Sequence, residues 1–113
     1  MMEEEIKKLI EKEIKKADIG DLEKELILRD MNYFNRKYEE LKKAITTKDT
    51  WSILRNAAWL ERAYLNINEA IDVVKTHVKP ETAIKLEELR KKIEDYYYDI
   101  IENASSRLEE IVK

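Results

Sequence analysis

Apolar residues recur along most of this chain at alternating steps of three and four, the spacing that places side chains on one face of an α-helix. The runs lie over 3–17 (Ile6, Leu9, Ile10, Ile14, Ala17), 22–46 (Ile27, Met31, Phe34, Tyr38, Leu41, Ile45), 50–78 (Ile53, Ala57, Leu60, Tyr64, Ile67, Ile71, Val74, Val78) and 81–112 (Leu86, Leu89, Ile93, Tyr96, Tyr97, Ile100, Ala104, Leu108, Ile111). The pattern therefore predicts four helices with these approximate bounds.

The short segments between the runs carry residues that begin and end helices. Pro80 cannot continue a helix, and its fixed φ suits the first turn of the next one. Asp49 or Thr50 is expected to cap the helix that follows it, and Asp21 to cap the helix predicted from residue 22, by accepting from free backbone amides. Gly20 is the one glycine in the chain, so we expect it to supply a backbone conformation that other residues resist.

Short connections favour antiparallel packing of neighbouring helices. At 1.5 Å per residue the last two helices are each roughly 45 Å long, so the N-terminal helix is too short to cover them end to end. The chain has 113 residues, the size of one domain with a sizeable core. The sequence thus predicts an all-α fold, an antiparallel up-and-down helical bundle of one short N-terminal helix plus three long helices, forming a single domain over 1–113.

Composition narrows the classes of function. Charged residues make up 42% of the chain, but the net charge is only −3, without the overall basic charge typical of nucleic-acid binders. The absence of cysteine excludes disulfides and thiolate metal sites. No apolar run approaches the roughly 18 residues of a membrane span, and the N-terminal run does not resemble a signal peptide. We expect a cytoplasmic protein without a membrane contact; abundant Glu, Lys and Ile are also typical of a thermophilic source.

Both tryptophans lie on the helix predicted over 50–78, away from its apolar seam. Arg55, Arg62 and Asn66 lie between or beside Trp51 and Trp59. Because Trp, Tyr and Arg dominate binding hot spots, this strip indicates a homodimer or partner-protein interface. Two alternatives stay open. In the first, the indoles pack inside the subunit, under the N-terminal helix or against the last helix. In the second, the arginines contact phosphates while the aromatic rings stack on bases.

A tyrosine triplet at 96–98 adds one more candidate. Tyr96 and Tyr97 fall on the apolar seam of their helix, whereas Tyr98 is turned outward and is able to anchor a protein partner or stack on a base. The predicted interaction residues are therefore Trp51, Arg55, Trp59, Arg62, Asn66 and Tyr98.

Candidate catalytic chemistry is sparse. Metal sites in helical bundles use Glu-x-x-His pairs, but position 74, three residues before His77, is valine. Glu69 and Asp72 have the spacing that helical magnesium-dependent nucleotide pyrophosphatases use. Those enzymes also need a Glu-Glu-x-x-Glu set on an earlier helix. The nearest candidate begins with Glu39 and Glu40, but Lys43 stands where the third acid belongs. We therefore predict no catalytic, cofactor-binding or metal-binding residue, and keep the pyrophosphatase as a remote alternative.

The segment "LERAYLNINEAIDVVKTHV" (60–78) resembles the central helix of the HEPN superfamily, especially the HepT-type bundles found with small nucleotidyltransferases. Glu61-Arg62-Ala63, Glu69-Ala70 and His77-Val78 carry the resemblance. The ribonuclease signature of that family, an arginine followed by four to six residues and a histidine, is absent, because no arginine stands at positions 70–72. The resemblance implies a dimeric helical bundle, nucleic-acid-associated but without nuclease activity.

Overall fold

The computed structural model describes Lys8, Lys12 and residues 20–113 of the chain. Residues 20–113 form three helices and no strand: α1 (Asp21–Ile45), α2 (Thr50–Lys75) and α3 (Pro80–Val112). The all-α fold predicted from the sequence is confirmed for this part of the chain. The helix predicted over 3–17 lies outside the described residues, apart from Lys8 and Lys12. Across the described helices, none is both long and apolar enough to cross a bilayer.

The apolar seams of the three helices meet in one core. The central seam residues of α2 are completely buried, and those of α1 and α3 close over them from two sides. The most deeply buried large side chains are Ile27, Met31, Phe34, Leu41, Ile53, Leu60, Ile67, Ile71 and Ile93. Burying one such side chain contributes about 1.5–3 kcal/mol, so the seam, rather than local helix propensity, holds the fold together.

Contacts between α2 and α3 show that these helices run in opposite directions. The rings of Tyr64 and Tyr97 stack with their centroids 4.2 Å apart and their planes 3° from parallel. Towards the other end of α2, Arg90 donates to the carboxylate of Asp72. Residue numbers therefore fall along α3 as they rise along α2. The side of α2 that carries Tyr64 and Asp72 is therefore the side that α3 covers.

Two of the predicted helix starts are confirmed and one is wrong. The carboxylate of Asp49 accepts from the Ser52 amide at 3.1 Å, and Pro80 is the first residue of α3. Asp21 is not a cap, because α1 begins one residue earlier than expected and Gly20 is the N-cap. The expectation of an unusual conformation at Gly20 is also wrong: its φ of −67° and ψ of 158° are extended backbone that any residue adopts.

The second helix ends three residues before the predicted position 78 because side chains close its last turn. The hydroxyl of Thr76 donates to the Val73 carbonyl at 2.7 Å, and the Nδ1 atom of His77 lies 3.0 Å from the same oxygen. These bonds satisfy a carbonyl that would otherwise continue the helix ladder. Val78 remains half-buried against the core, although it lies outside the helix.

Candidate interaction surface

One side of α2 faces away from the core along the whole helix. At about 100° per residue, the exposed side chains lie roughly opposite the buried seam that contains Leu60. We call this surface the outer face. Its residues are Trp51, Leu54, Arg55, Ala58, Glu61, Arg62, Leu65, Asn66, Glu69 and Val73, all of them exposed.

Several apolar side chains of the outer face are exposed to solvent. Trp51 is 69% exposed, and Leu54 and Leu65 are each 51% exposed. Scattered apolar side chains are ordinary on protein surfaces, but contiguous apolar patches mark sites of interaction. Here Ala58 lies between the leucines, and Val73 extends the patch to the last turn of the helix.

Charged residues divide the outer face along its length. Arg55 and Arg62 lie in the first half of α2, and Glu69 lies in the second half. A concavity of about 520 Å³ opens at the middle of the face, lined by Ala58, Glu61, Arg62, Leu65, Asn66 and Glu69. The middle of the face therefore combines apolar contact with charge of both signs.

Trp59 lies at the edge of the outer face that adjoins α1. The ammonium of Lys37 lies 5.4 Å from the indole centroid and 5.5 Å from the Tyr33 ring. A cation over an exposed aromatic ring contributes about 0.5–1 kcal/mol. The contact holds the indole against α1, while the ring stays 45% exposed.

Tyr98, a residue of α3, lies on the opposite flank of the outer face and is 58% exposed. Its ring contacts Tyr64 and Tyr97 edge-on, at centroid distances of 6.2 and 5.3 Å. Burial, and then the negative charge of Glu61, raise the pKa of Tyr97 to about 12. Of the residues predicted from the sequence, the structure places Trp51, Arg55, Arg62 and Asn66 on the outer face, Trp59 at its α1 edge and Tyr98 beyond its α3 edge.

A groove between α1 and α2 adjoins the outer face and contains a buried acid that the sequence reading missed. The groove has a volume of about 310 Å³ and includes Asn66, Glu69 and Val73 from the outer face. Asp30 is only 8% exposed, and its carboxylate lies 3.5 Å from Arg29 Nε. Burial raises the pKa of Asp30, and the nearby arginine offsets part of that effect. The sequence contained one signal for this burial: Asp30 stands three residues after Ile27 and four before Phe34, which both lie on the apolar seam of α1.

The acids considered for a metal site are not arranged as one. Asp72 is held by Arg90 and by Lys75, whose ammonium also lies 2.8 Å from Glu87. The hydrogen bond from Arg90 is the main reason that the pKa of Asp72 is lowered. In the part of the chain that the structure describes, no group of three or more His, Cys, Asp or Glu side chains is placed to hold a metal ion. This cluster ties α2 to α3.

No family model matches the chain, and no curated protein or solved structure matches it either.

Proposed function

We propose that this chain is a non-catalytic protein that acts through protein–protein contacts, with the outer face of α2 as its docking surface and an up-and-down helical bundle as its scaffold. The observation that carries the proposal is the exposure of Trp51, Leu54 and Leu65 along one side of a helix whose opposite side packs in the core. A helix that is apolar on two sides has a surface for a further partner, and α1 and α3 together cover only one of those sides.

The proposal is also supported by the free energy of binding, in which the burial of apolar surface is favourable and the loss of conformational freedom is unfavourable. Each Å² of apolar surface removed from water contributes roughly 25 cal/mol. The face is carried by a helix anchored in the core, so little backbone freedom is lost when a partner covers it, and more of that gain appears as affinity. Arg62, at its centre, is suited to a hot-spot role in a protein interface, and Arg55, nearer one end, to a position at the rim.

A nucleic-acid-associated accessory role of the HEPN-like type is the second candidate. Arg36 and Lys37 both lie over the Tyr33 ring, at 5.3 and 5.5 Å, so cations and aromatic rings alternate near Trp59. Such an alternation is suited to single-stranded nucleic acid, because the bases stack on aromatic rings and the phosphates bind cationic side chains. A protein partner is preferred because Glu61 and Glu69 on the same surface repel phosphates.

Site-specific photo-crosslinking in the host cell tests the proposal. A photoreactive amino acid replaces Ala58, at the centre of the outer face, and in a control chain it replaces Glu102, which is exposed on α3. We expect a protein adduct of defined mass from position 58, none from position 102, and loss of the adduct when Trp59→Glu is added. Mass spectrometry of the adduct identifies the partner.

Two results contradict the proposal. Equal crosslinking from both positions would mean that the outer face has no special role. Adducts to nucleic acid instead of protein at position 58 would favour the second candidate, and the binding of an oligonucleotide should then weaken with salt and with Arg55→Ala and Arg62→Ala.

A further inference from the structure

We propose that the groove between α1 and α2 is the part of the docking surface that selects the partner, and that it binds an arginine side chain of the partner protein between the carboxylates of Asp30 and Glu69. This inference rests on the proposed function, because the groove adjoins the outer face and shares Asn66, Glu69 and Val73 with it. The buried acid, the apolar walls and the position of the groove support it independently.

A buried carboxylate lines the groove. Asp30 is only 8% exposed, and within the described residues its one ion pair is with Arg29, whose Nε atom lies 3.5 Å away. The side chain of Arg29 is itself 74% exposed. A carboxylate removed from water is stabilised by charged hydrogen bonds of about 2.7–2.9 Å, so this longer contact offsets the loss of hydration poorly. Asp30 is therefore able to accept from a cation that enters the groove.

A second carboxylate favours a positive charge at the same place. Glu69 lines the groove from α2 and is exposed. The two acids lie close enough for the negative charge of Glu69 to contribute to the raised pKa of Asp30. A cation between them is attracted to both and relieves this repulsion. The side-chain carbonyl of Asn66, which also lines the groove, is a further acceptor.

The apolar walls of the groove indicate which cation fits. Leu26, Ala70 and Val73 line it, and the small side chain of Ala70, itself buried, leaves room for a volume of about 310 Å³ between the helices. Arginine has an apolar methylene stem below its charged head, so the stem packs on these walls while the head contacts the acids. The planar guanidinium donates to carboxylates through several N–H groups in a fixed geometry, whereas a lysine ammonium acts as a point charge. Arginine is therefore the side chain that the groove suits best.

A partner on the outer face is within reach of the groove. Leu65, which is 51% exposed on that face, lies about one helical turn from Glu69. Arg55 and Arg62 lie towards the other end of α2 and repel a basic side chain there. The charges thus direct an arginine of the partner to the end of the face where the groove opens.

A titration with a small guanidinium compound tests the groove without the partner. Ethylguanidinium and its neutral counterpart ethylurea are added to the isotope-labelled chain, and amide shifts are followed by nuclear magnetic resonance. We expect ethylguanidinium alone to cause saturable shifts around Asp30, Glu69 and Ala70. The neutral variant, Asp30→Asn with Glu69→Gln, should bind it about tenfold more weakly or worse, because hydrogen bonds to charged groups are the stronger ones. A control variant, Glu102→Gln with Glu109→Gln, makes the same change of charge at exposed positions of α3 and should bind like the wild type.

The partner protein provides the second test. With the photoreactive amino acid at position 58, the yield of the adduct should fall about tenfold or more in the neutral variant and stay unchanged in the control variant. With the photoreactive amino acid in place of Val73, the partner peptide recovered in the adduct should contain an arginine. Changing that arginine to glutamine should weaken binding to the wild-type chain but not to the neutral variant, as expected for two side chains in direct contact.

Circular dichroism separates a loss of binding from a loss of folding. The neutral variant should keep the helicity of the wild type, because Glu69 is exposed and Asp30→Asn removes a buried charge.

The outcomes distinguish this inference from the proposed function. An adduct at position 58 that the neutral variant leaves unchanged would overturn the arginine site and leave the docking surface in place. The absence of saturable ethylguanidinium shifts in the wild-type chain, or a crosslinked partner peptide with lysine and no arginine, would do the same. Ethylguanidinium binding at the groove without any adduct at position 58 would overturn the docking surface and, with it, a protein as the source of the arginine.

Discussion

Leu60 and Leu65 lie on the same helix, and replacing either with alanine removes the same atoms from very different surroundings. Leu60 is completely buried in the core, whereas Leu65 is 51% exposed on the outer face. We expect Leu60→Ala to lower the free energy of unfolding by about 2–5 kcal/mol, from lost burial and from the cavity left behind. For a domain of this size that corresponds to a fall in Tm of roughly 10–20 °C.

Leu65→Ala leaves no enclosed cavity in the single subunit. Half of the leucine side chain is already in water, and alanine favours a helix slightly more than leucine. The expected loss for the isolated subunit is therefore about 0.5 kcal/mol or less, the range of ordinary surface substitutions. If the outer face binds a second copy, association adds to the stability of the folded state, on the order of 2.7 kcal/mol when the concentration is a hundred times the dissociation constant.

Urea unfolding followed by circular dichroism, at two chain concentrations a hundredfold apart, tests this reasoning. If the outer face binds a second copy, the wild type and Leu60→Ala should gain stability with concentration, and Leu65→Ala should gain less, because its association would be weaker. Equal losses for the two variants at low concentration would refute the assignment of Leu60 to the core and Leu65 to the surface. A wild type whose stability does not change with concentration would refute self-association.

Further predictions concern three side chains that lie outside the outer face. Asp30→Asn should raise the free energy of unfolding at neutral pH, because the folded state raises the pKa of this buried acid. The advantage is complete above the raised folded pKa and disappears below the ordinary value of 3.8, where Asp30 is protonated in both states. Arg107 donates from Nε and a terminal nitrogen to the Thr47 carbonyl, at 3.0 and 2.9 Å, so Arg107→Ala should cost about 1 kcal/mol in thermal unfolding. Tyr97 has a folded pKa of about 12 against an ordinary 10.0, so wild-type stability should fall as pH rises from 10.0 towards 12, and Tyr97→Phe should reduce that fall.

Each of these predictions has a clear contrary result. An Asp30→Asn variant less stable than wild type at neutral pH would show that the ion pair with Arg29 outweighs the cost of burial. No change on Arg107→Ala would mean that water replaces the bonds to the loop before α2 at no cost. For Tyr97, an absorbance titration showing every tyrosine ionising together near pH 10 would contradict the effect of burial.

The sequence predicted the parts of the fold that depend on local periodicity. A stripe of apolar side chains at steps of three and four must be buried, so the seam containing Leu60 and Ile67 was predictable without knowing its partner helices. The cap at Asp49 and the helix start at Pro80 were also predictable, because each acts on its own segment. The wrong predictions at Gly20 and Asp21 both come from placing the start of α1 one residue too late, and local signals do not determine a helix boundary to one residue.

Contacts between residues far apart in the sequence could not be predicted from local patterns. Arg107 binds the carbonyl of Thr47, 60 positions away, and nothing in the local pattern of either residue indicates the other. The position of Lys37 over Trp59 likewise depends on how α1 crosses α2. The exposed side of α2 was partly predictable, because its tryptophans lie off the seam. Its role in binding remains a prediction, since an exposed side chain does not by itself identify a partner.

The most direct test of the docking surface is to introduce one charge on it and one elsewhere. Trp59→Glu places a carboxylate at the edge of the outer face, beside the ammonium of Lys37, at a side chain that is 45% exposed. Ile84→Glu makes a comparable change at a side chain 60% exposed on α3. Light scattering with circular dichroism should show that Trp59→Glu loses association and keeps its helicity, while Ile84→Glu retains both. Association that survives Trp59→Glu but is lost with Ile84→Glu would contradict the assignment of the outer face.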